Sequence, residues 1–230
     1  MSELETETRP TEDGVAFVVR TREPRYVEAL RALVFTRADD EFIRVFPRDA
    51  RDLDAIHQRF AARLEEILEQ TTGRLAAPWQ EALAELAGRL ERTGVSWFVC
   101  GSAALAARGI PVQPRDVDFV TSDHAGVAAA LSDALIEPPS RDAGRAWIAE
   151  WFGRAWLGMR VEWIAGIYPE IDSRETPTEF GPTAASSLER IEWNGHALLL
   201  SPLDLQREVS RQRRLDDRVD AIDRYRRLRG

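Results

Sequence analysis

The chain of 230 residues contains no lysine, so each of its 31 Lys-or-Arg positions is an arginine. A phosphate-binding group would therefore have to be an arginine or a backbone amide. The one cysteine, Cys100, excludes an internal disulfide and fits a reducing cytoplasm. No apolar run reaches the roughly 18 residues of a membrane-spanning helix, and the acidic N-terminus lacks the apolar segment of a secretory signal. These absences predict a cytoplasmic protein without membrane contact.

The composition is that of a globular protein with surplus negative charge. Hydrophobic residues make up 44% and charged residues 30% of the chain, and the formal net charge is −8. A negatively charged chain gains nothing from long-range attraction to nucleic acid. Nucleic-acid binding therefore stays open and would need a local basic patch. The length suffices for one large domain or two small ones.

The first third of the sequence divides into a tail and a small module. Residues 1–13 are polar and acidic, which predicts a disordered tail. Residues 14–72 then predict a small α+β module, with strands at 15–20 and 41–46 and a helix at 52–70. Apolar residues recur at helical spacing along that last segment. The pattern leaves open whether this module is structural or binds a partner.

Residues 77–230 alternate strand and helix patterns and predict the main domain. The predicted strands lie at 95–100, 116–120 and 159–164, with a hairpin at 191–200. The predicted helices lie at 77–93, 103–108 and 125–135, and a final helix runs from Pro202 almost to the end. The segments 138–144 and 168–187 are expected to be irregular. The predicted fold class is α+β with α/β-like alternation. A mixed β-sheet flanked by helices would carry the functional residues.

Two aspartates separated by one residue are the main candidates for chemistry. Asp116 and Asp118 lie on a predicted strand, where side chains two apart point to the same face. Adjacent carboxylates repel each other unless a cation neutralises them. Their hard oxygen ligands suit Mg²⁺, or Mn²⁺, completed by water and substrate phosphates. Glu162, inside the predicted strand at 159–164, is the candidate third carboxylate; the alternative is a charge that faces water at a sheet edge.

The Gly101-Ser102 pair follows an apolar strand and precedes a short helix. Glycine lets the backbone approach a ligand closely, and amide groups at a helix start attract anions. Thirteen residues, 103–115, separate Ser102 from Asp116, which is enough for a short helix and for the next strand to return beside the first. The glycine turn and the carboxylates would then face one cleft.

These residues together resemble the signature of the nucleotidyltransferase superfamily. Phe98 to Ser102, then Arg115 to Val120, is similar to its hydrophobic-Gly-Gly/Ser element followed by Asp-x-Asp and a later Asp or Glu. The nearest group is that of small bacterial nucleotidyltransferases, including relatives of the AbiEii-type toxins. The resemblance covers about residues 94–228 and departs from the family in having Glu at the third acidic position and no C-terminal lysine.

The resemblance implies a nucleoside triphosphate as substrate and a role for each motif residue. Gly101 and Ser102 would hold the β- and γ-phosphates, and Asp116 and Asp118 would bind the metal. Glu162 would complete the metal site or act as the base for an acceptor hydroxyl. That hydroxyl would attack the α-phosphate and release pyrophosphate.

Three arginines are further candidates for phosphate contacts: Arg115, Arg213 and Arg214. Arg115 either orients a carboxylate or phosphate or is solvated. The segment 207–229 has nine arginines and five acids, a charge of 9 − 5 = +4, so it either contacts a nucleotide or a nucleic acid or is a solvated helix with ion pairs four residues apart.

The predicted function is metal-dependent transfer of a nucleoside monophosphate to an unidentified acceptor, which could be a small molecule, a protein or an RNA end. The alternative is a non-catalytic or regulatory protein of the same fold that acts with a protein partner in a toxin–antitoxin type of complex. Asp-x-Asp alone is common on protein surfaces. Replacement of Asp116 or Asp118 by Asn distinguishes the two hypotheses, because an enzyme would lose its activity whereas a binding protein would keep its partner.

Overall fold

In a computed structural model that describes residues 4–141, 148–173 and 178–229, the chain forms two β-sheets with helices packed against both. The predicted fold class, a mixed α+β fold, is confirmed. None of the helices in these ranges has the length and apolar character that crossing a bilayer requires.

The first sheet has four antiparallel strands in the order β1-β2-β4-β3. Its elements in chain order are β1 (Leu4–Pro10), β2 (Val15–Thr21), α1 (Pro24–Ala32), β3 (Thr36–Ala38), β4 (Glu41–Phe46) and α2 (Leu53–Thr71). The expected strands and long helix of this module are present. The sequence predicted a disordered tail over residues 1–13, whereas residues 4–10 form the edge strand β1.

Cross-strand pairing explains why a polar segment becomes a strand. β1 pairs with β2 along its whole length, from Leu4 opposite Thr21 to Pro10 opposite Val15. Arg9 and Arg20 both form hydrogen bonds with Glu41, at 2.8 to 2.9 Å. Opposite charges on neighbouring strands stabilise a sheet. Composition alone favours disorder here, because the stabilising partners belong to strands farther along the chain.

The second sheet has seven strands in the order β10-β11-β5-β6-β9-β8-β7. Its elements in chain order are α3 (Trp79–Glu91), β5 (Trp97–Cys100), α4 (Gly101–Ala107), β6 (Val117–Thr121), α5 (His124–Ala130), β7 (Leu135–Arg141), β8 (Ala149–Trp156), β9 (Arg160–Ile167), a 3₁₀ turn (Pro169–Ser173), α6 (Pro182–Ala185), β10 (Glu189–Trp193), β11 (His196–Leu200), α7 (Leu203–Gln212) and α8 (Asp216–Arg229). β11 is parallel to β5 and β6 is parallel to β9, whereas the other neighbours are antiparallel.

Several elements differ from the sequence prediction. Part of the expected loop at 138–144 belongs to β7, and its residues 142–144 lie outside the described ranges. β8 has no counterpart in the prediction. The expected irregular segment at 168–187 contains the 3₁₀ turn and α6, while 174–177 lie outside the described ranges.

The predicted final helix is two helices, α7 and α8. They separate at Arg214, whose φ of 55° is left-handed and cannot continue a right-handed helix. Arg207 donates hydrogen bonds of 2.6 and 2.7 Å to Asp223, and Arg226 pairs with Asp204. These ion pairs join the two helices to each other. Arg207 and Arg226 thus form pairs between α7 and α8, whereas Arg211 pairs with Glu208 within α7.

Helix α2 joins the first sheet to the second through a shared hydrophobic core. Its buried side chains Ile56, Phe60 and Ile67 belong to one continuous cluster that also includes residues of the second sheet. Polar contacts reinforce the junction: Arg59 Nε donates to the Leu135 carbonyl at 2.8 Å, and Gln70 Nε2 donates to the Gly158 carbonyl at 2.9 Å. The predicted boundary after residue 72 therefore divides the chain in sequence but does not divide the core.

Candidate active site

Neighbouring strands bring the three candidate carboxylates to one end of the second sheet. In the parallel pair β6 and β9, Asp118 lies opposite Glu162. Asp118 also lies opposite Cys100, the last residue of β5. Asp116 precedes β6 by one residue, so it shares the face of Asp118. Side chains from three separate sequence segments thus meet at a single pocket.

Gly101 is required at the turn between β5 and α4 for two reasons. Its φ is +64°, a conformation that residues with a Cβ rarely adopt. A Cβ at this position would also lie 2.8 Å from Asp118 Oδ2. The glycine therefore makes room for a carboxylate. Ser102, the next residue, lines the same pocket.

The Gly101 amide, a predicted phosphate contact, donates a 2.8 Å hydrogen bond to Glu179 Oε2. Glu179 is buried and also accepts a 2.7 Å hydrogen bond from Gln206 Nε2, so it connects this turn to helix α7. The sequence prediction missed Glu179, because a single glutamate in a segment without periodicity carries no signal. In this structure a carboxylate thus lies where the resemblance predicts a phosphate.

Asp118 has the most strongly perturbed carboxylate of the proposed metal ligands. Within the described ranges, no side chain or amide forms a hydrogen bond or ion pair with its carboxylate. Burial raises the pKa of Asp118 well above its usual range, and the charges of Asp116, Glu162 and Glu179 raise it further. Burial likewise raises the pKa of Asp116, although the Arg160 guanidinium opposes this. The pocket therefore favours the uptake of a cation at this end of the sheet.

Glu162, in contrast, is held by two arginines. Its Oε1 accepts hydrogen bonds from Arg154 Nε at 2.7 Å and from Arg160 Nη1 at 2.8 Å. Burial alone would raise the pKa of Glu162, but Arg154 and Arg160 outweigh it, so the pKa is lowered. β9 lies between β6 and β8. The alternative of a solvated charge on an edge strand is therefore not what the structure shows.

Two arginines from the start of α8 and the turn before it line the same pocket: Arg213 and Arg218. Neither guanidinium forms a hydrogen bond or ion pair with another residue in the described part of the chain. Burial lowers the pKa of Arg218, while the charges of Glu179, Asp116 and Asp118 oppose that effect. Arg213 is a predicted site residue, whereas Arg218 was missed, because only the fold of α8 onto the pocket selects it among nine similar arginines.

The other two predicted arginines lie elsewhere. Arg214 lines a separate depression with Pro111 and Asp216. The guanidinium of Arg115 lies beside Gly73, at the end of α2. Neither residue lines the acidic pocket. Arg115 was predicted from its place next to Asp116, and Arg214 was predicted together with Arg213 from the basic segment 207–229; in both cases the neighbouring residue lines the pocket and the predicted arginine does not.

The pocket has a volume of about 290 Å³, close to the lower end of the range for small-molecule sites. Carboxylates lie on the sheet side, Arg213 and Arg218 lie on the helix side, and Phe152 and Phe180 complete the wall. A ligand that carries both a cation and an anion would satisfy both sides at once. A free cation would satisfy only the carboxylates, and a free anion would satisfy only the arginines.

The donor set fits Mg²⁺ or Mn²⁺ bound together with a substrate. Within residues 4–141, 148–173 and 178–229, no three His, Cys, Asp or Glu side chains are arranged to hold a metal by themselves. Arg160 explains this, because its guanidinium lies between Asp116 and Glu162. Mg²⁺ is usually bound by one or two carboxylates with water and phosphate oxygens. Asp116 and Asp118 supply those carboxylates, whereas Oε1 of Glu162 is already used by arginines.

Comparisons with known proteins found no matching family model and no matching curated protein. The fold is similar to a candidate nucleotidyltransferase from Thermotoga maritima, at 19% identity and a TM-score of 0.48, over 67% of this chain and 96% of that one. It is also similar to an antigenic nucleotidyltransferase-like protein from Paracoccidioides brasiliensis, at 16% identity and a TM-score of 0.37, over 64% and 77%. Neither name concerns the AbiEii-type toxins, so that relation stays a prediction. Because both TM-scores are below 0.5, the assignment of a function depends on the pocket and not on these similarities.

Proposed function

We propose that this protein is a metal-dependent nucleotidyltransferase that transfers a nucleoside monophosphate from a nucleoside triphosphate to an acceptor hydroxyl. The observation that carries the proposal is the division of charge across one pocket. Asp116 and Asp118 face it with raised pKa values, and Arg213 and Arg218 face it without an ion pair to any residue of the described ranges. A divalent cation bound to a triphosphate is the common ligand that supplies both missing charges.

Each group has a role that follows from its position. Asp116 and Asp118 would hold Mg²⁺, which would supply a Lewis acid at the α-phosphate and neutralise charge on the phosphates. Arg213 and Arg218 would bind non-bridging phosphate oxygens, and the guanidinium group suits such contacts geometrically. Gly101 and Ser102 would border the phosphates at the turn after β5. The acceptor hydroxyl would give up its proton to solvent water as its oxygen attacks the α-phosphorus, the bond from that phosphorus to the bridging oxygen would break, and pyrophosphate would leave.

The structure argues against one role that the resemblance implies. A general base works best with a pKa near the working pH. The two arginines on Glu162 lower its pKa, so it is a weak proton acceptor. We assign Glu162 to the support of Arg160 and, through Arg160, of Asp116.

The test is calorimetric titration of the full-length protein with ATP, CTP, GTP and UTP, each with and without Mg²⁺. We expect at least one nucleotide to bind only with metal, and an Asp116→Asn, Asp118→Asn double variant to lose that binding. The acceptor is then sought by following the release of pyrophosphate with small molecules, proteins and RNA ends.

The other outcome favours the second function predicted from the sequence. If no nucleotide binds under either condition, the enzyme proposal fails. A regulatory protein that acts with a partner, as in toxin–antitoxin complexes, would then be the better hypothesis. In that case the double variant should still bind its partner.

A further inference from the structure

A row of alternating charges runs from the first sheet to the candidate active site. We name it the charge ladder, and its members in order are Arg44, Glu137, Arg154, Glu162, Arg160 and Asp116. Arg44 belongs to β4 of the first sheet, and the next members belong to β7, β8 and β9 of the second. Its last member is one of the two proposed metal ligands. The ladder therefore connects the N-terminal module to the site.

Strand register explains why the middle of the ladder forms. Glu137 lies opposite Arg154 in the pair β7 and β8, and Arg154 lies opposite Glu162 in the pair β8 and β9. Directly opposite side chains on one face of a sheet are in contact. Arg44, which belongs to the first sheet, places its Nη1 2.9 Å from Glu137 Oε2. At the far end, Arg160 Nη2 donates to Asp116 Oδ2 at 2.9 Å.

The ladder is electrically balanced and mostly buried. It contains three arginines and three acids, so its formal charge is zero. The side-chain exposure is 1% for Glu137 and 2% for Arg154, and it rises to 25% for Asp116 in the pocket. In such surroundings the loss of one charge leaves a buried partner uncompensated, and the remaining groups must rearrange. The effect of a change at Arg44 is thus not confined to the first sheet.

A second set of contacts links Arg44 to the pocket wall. The Arg44 guanidinium lies 5.6 Å from the ring centre of Phe152, and that of Arg154 lies 5.0 Å from it. Phe152 lines the pocket. Both arginines also donate to the Leu33 carbonyl, at 2.6 and 3.3 Å, which ties them to the main chain after α1. The first sheet is therefore in contact with the site through backbone, ring and charge.

We propose that the N-terminal module is part of the active-site support, with Arg44, Glu137 and Arg154 as positioning residues that hold Glu162 and Arg160 and thereby fix Asp116 for metal binding. This inference rests on the proposed function for the identity of the metal site. It gives residues 4–72 a role that their sequence does not suggest. The proposed role is one of orientation, because none of the three positioning residues would touch the substrate.

The test measures Mn²⁺ binding to the full-length protein by electron paramagnetic resonance, with the Mn²⁺–ATP complex as the probe, because the donor set fits a metal bound together with a triphosphate. Arg44→Gln and Arg44→Met remove the charge, and Arg44→Lys retains it. The matched control is Arg20→Met, which removes an arginine of the same sheet that pairs with Glu41 and Glu7 and has no contact with the ladder. Thermal unfolding shows which variants are folded. If Arg44→Met does not fold, the comparison uses Arg44→Gln.

We expect Arg44→Gln and Arg44→Met to weaken Mn²⁺ binding by about tenfold, the lower end of the range for direct partners of metal ligands, because Arg44 acts through the intervening charges. Arg44→Lys and Arg20→Met should stay within about twofold of the wild type. Equal binding by wild type and Arg44→Gln would overturn the proposal. So would an equal loss in Arg20→Met, because the effect would then be one of general stability.

A crystallographic comparison of wild type and Arg44→Gln separates this proposal from the proposed function. We expect the 2.9 Å contact between Arg160 Nη2 and Asp116 Oδ2 to be lost in the variant. If the wild type binds no Mn²⁺ and no nucleotide, the nucleotidyltransferase proposal fails, yet displacement of Asp116 in Arg44→Gln alone would still support positioning by the ladder. An unmoved Asp116 would refute the ladder whatever the wild type binds.

Discussion

Replacement of Gly101 by alanine tests the geometry of the site with a single methyl group. The residue has a φ of +64°, and the new Cβ would lie 2.8 Å from Asp118 Oδ2. Gly94 offers a matched control, because its φ is +71° and nothing lies within 4 Å of its Cβ position. Gly94→Ala therefore introduces backbone strain alone, whereas Gly101→Ala introduces the same strain and a contact with the carboxylate.

The two contributions have different expected magnitudes. A left-handed conformation costs an alanine about 1–2 kcal/mol, so both variants should lose that much free energy of unfolding. An ordinary contact of a methyl group needs about 3.5 Å, so Asp118 Oδ2 has to retreat by roughly 0.7 Å in Gly101→Ala. Displacements of about 1 Å in an active site reduce activity by about 100-fold. We expect a loss between about 10-fold and 100-fold in metal-dependent nucleotide binding or turnover.

The assay combines urea unfolding with calorimetric titration of Mg²⁺ and the nucleotide that the wild type prefers. Both variants should unfold at lower urea concentration than the wild type, by similar amounts. Only Gly101→Ala should lose nucleotide affinity. If Gly101→Ala binds the metal–nucleotide pair as tightly as Gly94→Ala does, then Asp118 does not need its observed position, and the reasoning that places the metal there is refuted.

Three further predictions concern charge. Arg218→Gln should weaken nucleotide binding at least about tenfold, because a hydrogen bond to a charged group is lost, while Arg224→Gln on the same helix should not; equal calorimetric losses would contradict the role of Arg218. Asp118→Asn should raise the melting temperature in metal-free buffer at neutral pH, because a raised pKa in the folded state means that ionisation opposes folding as the pH rises; added Mg²⁺ should then stabilise only the wild type, and a lower melting temperature for the variant would count against the argument. Hydrogen bonds from Arg9 and then Arg20 lower the pKa of Glu41 to about 2, so the stability that it contributes is present above its unfolded pKa and is lost as the pH falls towards 2. Acid titration followed by circular dichroism should show the difference between wild type and Glu41→Gln shrinking on acidification, and a constant difference would be inconsistent with this ion-pair network.

Local patterns were sufficient to find Asp116, Asp118 and Glu162, which line the pocket. The alternation around Asp116 and Asp118 predicted a strand with both side chains on one face, and β6 has that geometry. A glycine after an apolar strand indicated a close backbone approach, although the group that approaches in this structure is the carboxylate of Asp118. In both cases the signal lies within a few residues of chain. The physical rule is local: the side-chain period of a strand and the steric freedom of glycine.

The groups that the sequence did not identify are those selected by distant partners. Glu179 is one glutamate among many until Gly101 and Gln206 donate to it. Arg218 becomes a pocket residue only because the chain turns at Arg214 and α8 then packs against α7 and α4. Likewise β1 forms because β2 and β4 supply its hydrogen bonds and ion pairs. Each of these roles depends on contacts between residues that are far apart in the chain, and neither composition nor local pattern specifies such contacts.

The sequence by itself determined the class of fold, the pair of aspartates and the glycine turn, since each depends on neighbouring residues. Only the tertiary structure decided what balances their charges. In the tertiary structure two arginines donate hydrogen bonds to Glu162, so it is not a free base. Arg213 and Arg218 lie at the same pocket as the carboxylates of the sheet. The tertiary structure also joined the N-terminal module to that site through Arg44. Electrostatic energy depends on distance in space, and the order of residues along a chain does not specify that distance.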